Sequence, residues 1–148
     1  MEKIYRDILE QAPDAVLFAD RQGILRIWNR GAENLFGHSA AEALGQSLDL
    51  IIPERLRARH WEGYYRVMAT GETRYGTDLL KVPALHRDGR QLSCEFSIVM
   101  LKDEECGVLG VASIVRDVTA RWEKEKALMA SLERFRLIAE DLGAVEGE

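Results

Sequence analysis

The 148-residue sequence is short of the features that mark several protein classes. It has no apolar run near the roughly 18–20 residues that span a bilayer. Its opening stretch, MEKIYRDILEQAPD, carries acidic side chains and no apolar signal-peptide core. A cytoplasmic protein with no membrane partner is therefore expected. Cysteine is scarce: Cys94 and Cys106 form no CxxC pair, and no disulfide between them is expected. Cys94 lies in an alternating apolar run and reads as a small buried hydrophobe, whereas Cys106 sits in a turn-like EECG. Excess positive charge is also missing. The net charge is −5, and a nucleic-acid partner would want a clustered basic face. Arg55, Arg57 and Arg59 do cluster, but Glu54 and Glu62 beside them make a solvated helix surface. No nucleophile–base pair or metal cluster is apparent, so no enzyme is expected. His86-Arg87-Asp88 imitates a kinase catalytic loop, yet Ser93 stands where such a loop needs Asn, and no Gly-rich phosphate loop accompanies it.

What the chain does contain is enough apolar sequence for one domain with its own core, 47% apolar against 30% charged. Ile4, Ile8 and Leu9 have helical spacing, and Ala12-Pro13 ends that helix. AVLFAD and ILRIWN then read as two strands joined by a tight turn at Gly23. Asn29 is an N-cap for RGAENLFG, which Gly37 closes. Ser39 and Glu42 make a capping box for the next short helix, ended by Gly45. Pro53 suits the first turn of a longer helix on which Leu56, His60, Tyr64 and Val67 share a face, up to Gly71.

Three further strands are expected in TDLLKVPAL, RQLSCEFSIVML and VLGVASIVRDVT, the first two joined through Asp88-Gly89. Leu92, Cys94, Phe96, Ile98 and Met100 alternate with Ser93, Glu95, Ser97 and Val99, as in a sheet with one covered and one largely polar face. Pro83 implies an edge strand, a bulge or a break. The fold class is α+β: five antiparallel strands with helices on one face.

WNRGAENLFG, GHSAAEALGQ, HRDG and RDVT, in this order, resemble a PAS domain, the sensory module of bacterial signalling proteins. The resemblance divides the chain into an N-terminal flanking helix over 1–13, a PAS domain over 14–118 and a signalling helix over 119–148. It implies a small-molecule ligand in the space between sheet and helices, and an output domain or partner signalling protein reached through the last helix.

IPERLRARH resembles the stretch in which oxygen-sensing haem kinases of the nitrogen-fixation type, and haem-regulated cyclic-di-nucleotide phosphodiesterases, carry their iron ligand. That resemblance implies haem b held by His60, with Leu56, Tyr64, Leu80, Phe96 and Ile98 around it. Arg57, Arg59 and His86 would face the propionates. A neutral imidazole on an inward helix face can bind haem iron axially. The distal Arg or Met of those relatives would fall near Asp78 to Leu80, which holds no equivalent. An apolar distal side at Leu79 and Leu80 implies carbon monoxide or nitric oxide rather than stably bound oxygen. A flavin, another small organic ligand, and a filled core that serves only for dimerisation remain open. A photoreactive flavin needs a cysteine in a GRNCRFLQ-type segment, and here that region reads GQSLDLIIPE.

The last segment is charge-rich, and Leu128, Leu132, Phe135, Ala139 and Leu142 step by four and three, a coiled-coil seam. A homodimer is expected, with Ile4, Ile8 and Leu9 joining its interface. Packing of the same helix on its own domain is the alternative.

Overall fold

The computed structural model describes residues 1–73 and 79–146. Five strands, β1 (Ala15–Asp20), β2 (Leu25–Trp28), β3 (Leu80–Leu85), β4 (Gln91–Lys102) and β5 (Val108–Asp117), form one sheet in the order β2-β1-β5-β4-β3. Every neighbouring pair is antiparallel. The helices are α1 (Glu2–Gln11), α2 (Arg30–Phe36), α3 (Ala40–Ala43), α4 (Arg57–Thr70) and α5 (Thr119–Glu146). Two 3₁₀ turns, Leu48–Ile51 and Glu54–Leu56, lie between α3 and α4. The chain divides into two compact units, Met1–Asp117 and Val118–Glu148.

In the first unit the sheet covers one face with helices. Leu17 and Ala19 of β1, Leu92 and Cys94 of β4, and Val111 and Val115 of β5 point into a core shared with Ala32, Phe36, Tyr64 and Met68. Phe96, Ile98 and Met100 continue that face of β4 and pack against the same core while only partly buried. The expected alternation is therefore observed. The opposite face is less polar than its alternation implies: Val99 and Ile114 are 46% and 41% exposed there, because β4 and β5 carry apolar residues in both phases.

Asn29 organises the start of the unit. It is fully buried, and its Oδ1 accepts from the amides of Val16 and Ala32. Its Nδ2 donates to the carbonyls of Leu9 and Asp14. One side chain thus caps α2, as its residue type predicts, and also ties the end of α1 to β1. Pro83 sits in β3, opposite Ser93, on an edge of the sheet where a missing N–H is tolerated. The β3–β4 turn closes through His86 N to Arg90 O, with Gly89 at φ +90.

Pro53 does not open α4. It precedes the 3₁₀ turn Glu54–Leu56, and α4 begins only at Arg57. Residues 77 and 78, placed in the third strand by sequence pattern, lie outside the described residues, and β3 begins at Leu80. His38 is half-buried, and its carbonyl accepts from Trp28 Nε1. Cys94 is buried and Cys106 exposed, and both thiols are free.

In the second unit, α5 is one helix of 28 residues. Leu128, Leu132, Phe135 and Leu142 are each at least 59% exposed along it. Arg136 pairs with Glu133 and Glu140, and Arg121 with Glu125, at the helical spacings that bring opposite charges together.

Candidate functional site

The site is built on α4 and the turn between β1 and β2. Gly23 holds φ +77 in that turn, and a Cβ there would run into the six-membered ring of Trp61. Glycine is needed for both reasons. Trp61 lies over the turn and donates from Nε1 to Asp49 Oδ1 at 2.7 Å. One turn further along α4, the Tyr64 hydroxyl donates to the carbonyl of Asp20 at 2.5 Å and has that of Ala19 at 3.3 Å. Arg57 braces the start of the helix by donating from Nε to Ile52 O and from Nη2 to Asp49 O. These contacts fix α4 against the β1–β2 turn and the first 3₁₀ turn.

His60 stands on this anchored helix, its ring edge-on to Trp61 at 4.8 Å and tilted to Tyr64 at 5.7 Å. Its Nδ1 is buried and has no hydrogen-bond partner, the one such side-chain atom among the described residues. Burial lowers its pKa below the ordinary histidine value, against a smaller opposing pull from Asp49. The ring is therefore held neutral. The Tyr64 phenol moves the other way. Burial raises its pKa, with smaller contributions from Asp20 and Tyr65, so it keeps its proton. The buried Cys94 thiol is pushed up to about 12, chiefly by burial, and is inert at neutral pH.

The predicted site residues fall into two groups. Leu56, half-buried at the end of the second 3₁₀ turn, precedes His60 by one helical turn, and Tyr64 follows by another. Leu80, Phe96 and Ile98 come together on the sheet: Leu80 pairs with Phe96 across β3 and β4, and Ile98 is two residues on along the same face. Arg57 is half-buried and already committed to two carbonyls, while Arg59 is exposed. His86 packs at the hairpin turn, close to Gly37, where its Nδ1 accepts from the Asp88 amide. Of the Asp78–Leu80 stretch, Asp78 lies outside the described residues, Leu79 is 62% exposed and Leu80 half-buried.

Asp49 was not singled out from sequence, and the part Gly23 plays beyond its turn was not foreseen. Both meet Trp61 and lock α4 through contacts 12 and 38 residues apart in the chain. Gly23 announced a turn, but no spacing in the sequence announces what packs upon it.

A family model described as the PAS fold matches residues 9–123. The chain belongs to the PAS family. An uncharacterized protein of Azorhizobium caulinodans is 33% identical over 129 residues, covering 86% of this chain and 17% of the relative. The sensor protein FixL of Bradyrhizobium diazoefficiens is 31% identical over 123 residues, covering 83% of this chain and 24% of FixL. The chain thus spans less than a quarter of the length of these two relatives. The crystal structure of a PAS domain from Colwellia psychrerythraea superimposes with a TM-score of 0.70 at 24% identity, covering 80% of this chain and 98% of that one. This PAS domain is accordingly a sensory domain of the kind found in signal-transduction proteins. Among its described residues, no helix is long and apolar enough to cross a membrane.

Proposed function

We propose that this PAS domain is a ligand-binding sensor whose ligand is haem b, bound to iron through His60. The observation that carries the reading is the state of His60: an imidazole held neutral by burial, with one ring nitrogen buried and unpaired. A buried polar atom without a partner is costly and marks a place where something is awaited. Among the described residues no group of three or more His, Cys, Asp or Glu is placed to hold a metal ion. An iron held by His60 alone therefore needs a macrocycle for its other bonds, which haem provides. The likeness to FixL, over a stretch that includes IPERLRARH, supports the same choice.

In this reading Leu56, Tyr64, Leu80, Phe96 and Ile98 form the walls. Arg57 and Arg59 are the cations nearest along α4 for the propionates. Haem supplies a site that binds a diatomic gas or changes redox state. The chain's own residues hold the imidazole neutral, exclude water and anchor the helix that carries it. Signalling then runs to α5, which pairs with the same helix of a second copy and leads to an output domain or a partner protein.

The second reading is a PAS domain with a filled core that serves dimerisation alone. Tyr64 and Met68, both buried and packed into the core, favour it. The absorption spectrum of protein expressed with a haem precursor separates the two. Haem gives a Soret band near about 400 nm that His60→Ala removes. A flavin would instead absorb near about 450 nm. A colourless protein that takes up no added haem ends the haem assignment, and a full Soret band in His60→Ala moves the ligand elsewhere.

A further inference from the structure

We propose that Tyr64 is the positioning residue that reports the state of the His60 pocket, passing it to β5 through the β1–β2 turn and Arg21. The inference rests on the sensory reading of that pocket, but the hydrogen bonds that carry it are present without a ligand. The Tyr64 hydroxyl faces two successive carbonyls of one strand end, Asp20 at 2.5 Å and Ala19 at 3.3 Å. A phenol has a single proton, so it can donate well to only one of them at a time. Burial keeps that proton on the oxygen. A small shift of α4 along β1 therefore exchanges one acceptor for the other, which makes two discrete arrangements instead of a continuum.

The residue that receives this bond leads directly into the next link. Arg21 follows Asp20 and donates from Nη1 to the carbonyl of Val108, the first residue of β5, at 2.9 Å. The turn is otherwise stiff. Asp20 Oδ1 accepts from the amides of Gln22 and Ile24, Gly23 O accepts from Leu48 N, and the Trp61 ring lies on Gly23. A stiff turn moved at Asp20 carries Arg21 with it. β5 is also the central strand of the sheet and the one after which α5 begins in the chain. His60 and Tyr64 share a helix face one turn apart, so any ligand that displaces His60 displaces Tyr64.

The test is amide hydrogen exchange on the whole chain, as wild type, Tyr64→Phe, Arg21→Ala and the double variant, each with and without added haem. Without haem, Tyr64→Phe should speed exchange at residues 108 and 109 by about fivefold, the factor a net hydrogen bond is worth. Gly110 is left out because it pairs directly with Asp20 across β1 and β5. In the Arg21→Ala background the same substitution should add nothing at residues 108 and 109, because the Arg21–Val108 link is already cut. With haem, at equal occupancy read from the Soret band, wild type should change its exchange at residues 108 and 109, and Tyr64→Phe should lose that change. Additive effects without haem, or a haem-induced change at residues 108 and 109 that survives in Tyr64→Phe at equal occupancy, overturns the relay. A wild type that takes up no haem refutes the ligand reading alone, and the four unliganded proteins then decide the relay.

Discussion

At the scale of single residues, buried Asn29 and half-buried His60 face opposite situations. Asn29 has every lone pair and proton it can use committed. Asn29→Ala removes a helix cap worth about 1 kcal/mol and strands buried partners that cost about 1–3 kcal/mol more. A loss of about 2–4 kcal/mol in urea unfolding is expected, and a loss below about 1 kcal/mol would mean water replaces the network. His60 instead has an unpaired nitrogen, and its lowered pKa makes stability depend on pH. Above the ordinary histidine value of 6.5 both folded and unfolded chains are neutral at this position, and nothing is lost. As pH falls below that value the unfolded chain takes up a proton first, so stability declines until the depressed native pKa is reached. His38 is also lowered by burial and adds to the same decline. Urea midpoints measured between about pH 8 and pH 5 should therefore fall, and His60→Gln should flatten the slope by its share. An unchanged slope in His60→Gln would place the titration elsewhere.

At the scale of elements, α4 is held by its contact with the β1–β2 turn, and that contact is open to a direct test. Gly23→Ala places a methyl where the Trp61 ring lies and forces a left-handed φ on alanine. The backbone alone costs about 1 kcal/mol, and displacing a packed indole adds about 1–3 kcal/mol. In a Trp61→Ala background only the backbone cost should remain, so the two substitutions should couple by at least about 1 kcal/mol. Strict additivity would separate the ring from the turn. The same pair illustrates what sequence can and cannot reveal. The period-two alternation of β4 was legible because it repeats over five positions, and Leu92 through Met100 do face the core. Asn29, Ser39 and Gly71 were legible because caps are local chemistry. The start of α4 was misplaced because proline fixes the same φ before a 3₁₀ turn as at a helix start. The contact of His60 with Tyr64 followed from helical spacing. The lock by Gly23, Asp49 and Trp61 did not, since it depends on a tertiary approach with no periodic trace.

At the scale of the whole molecule, the open question is what covers the seam of α5. Leu128, Leu132, Phe135 and Leu142 lie exposed at heptad spacing, with ion pairs such as Arg136–Glu140 beside them. A two-stranded coiled coil with a second copy buries four side chains from each helix. At roughly 1–1.5 kcal/mol for each partly covered side chain, the gross gain is about 8–12 kcal/mol. Association costs at least about 4 kcal/mol of this, and Ala139 leaves one thin layer. The remaining balance of about 4–8 kcal/mol corresponds to dissociation constants between about 1 μM and 1 mM, weaker than a permanent dimer. A seam of this strength suits a sensor, because pairing that is nearly balanced can be biased by an event worth only one or two kcal/mol. Sedimentation of the wild type across about 1–200 μM should therefore show a concentration-dependent shift from monomer to dimer. Leu128→Asp with Leu132→Asp should abolish it, since two buried aspartates per helix cost more than the whole balance. A wild type that stays monomeric throughout sinks the proposal, and a double variant that dimerises unchanged would move the interface off α5.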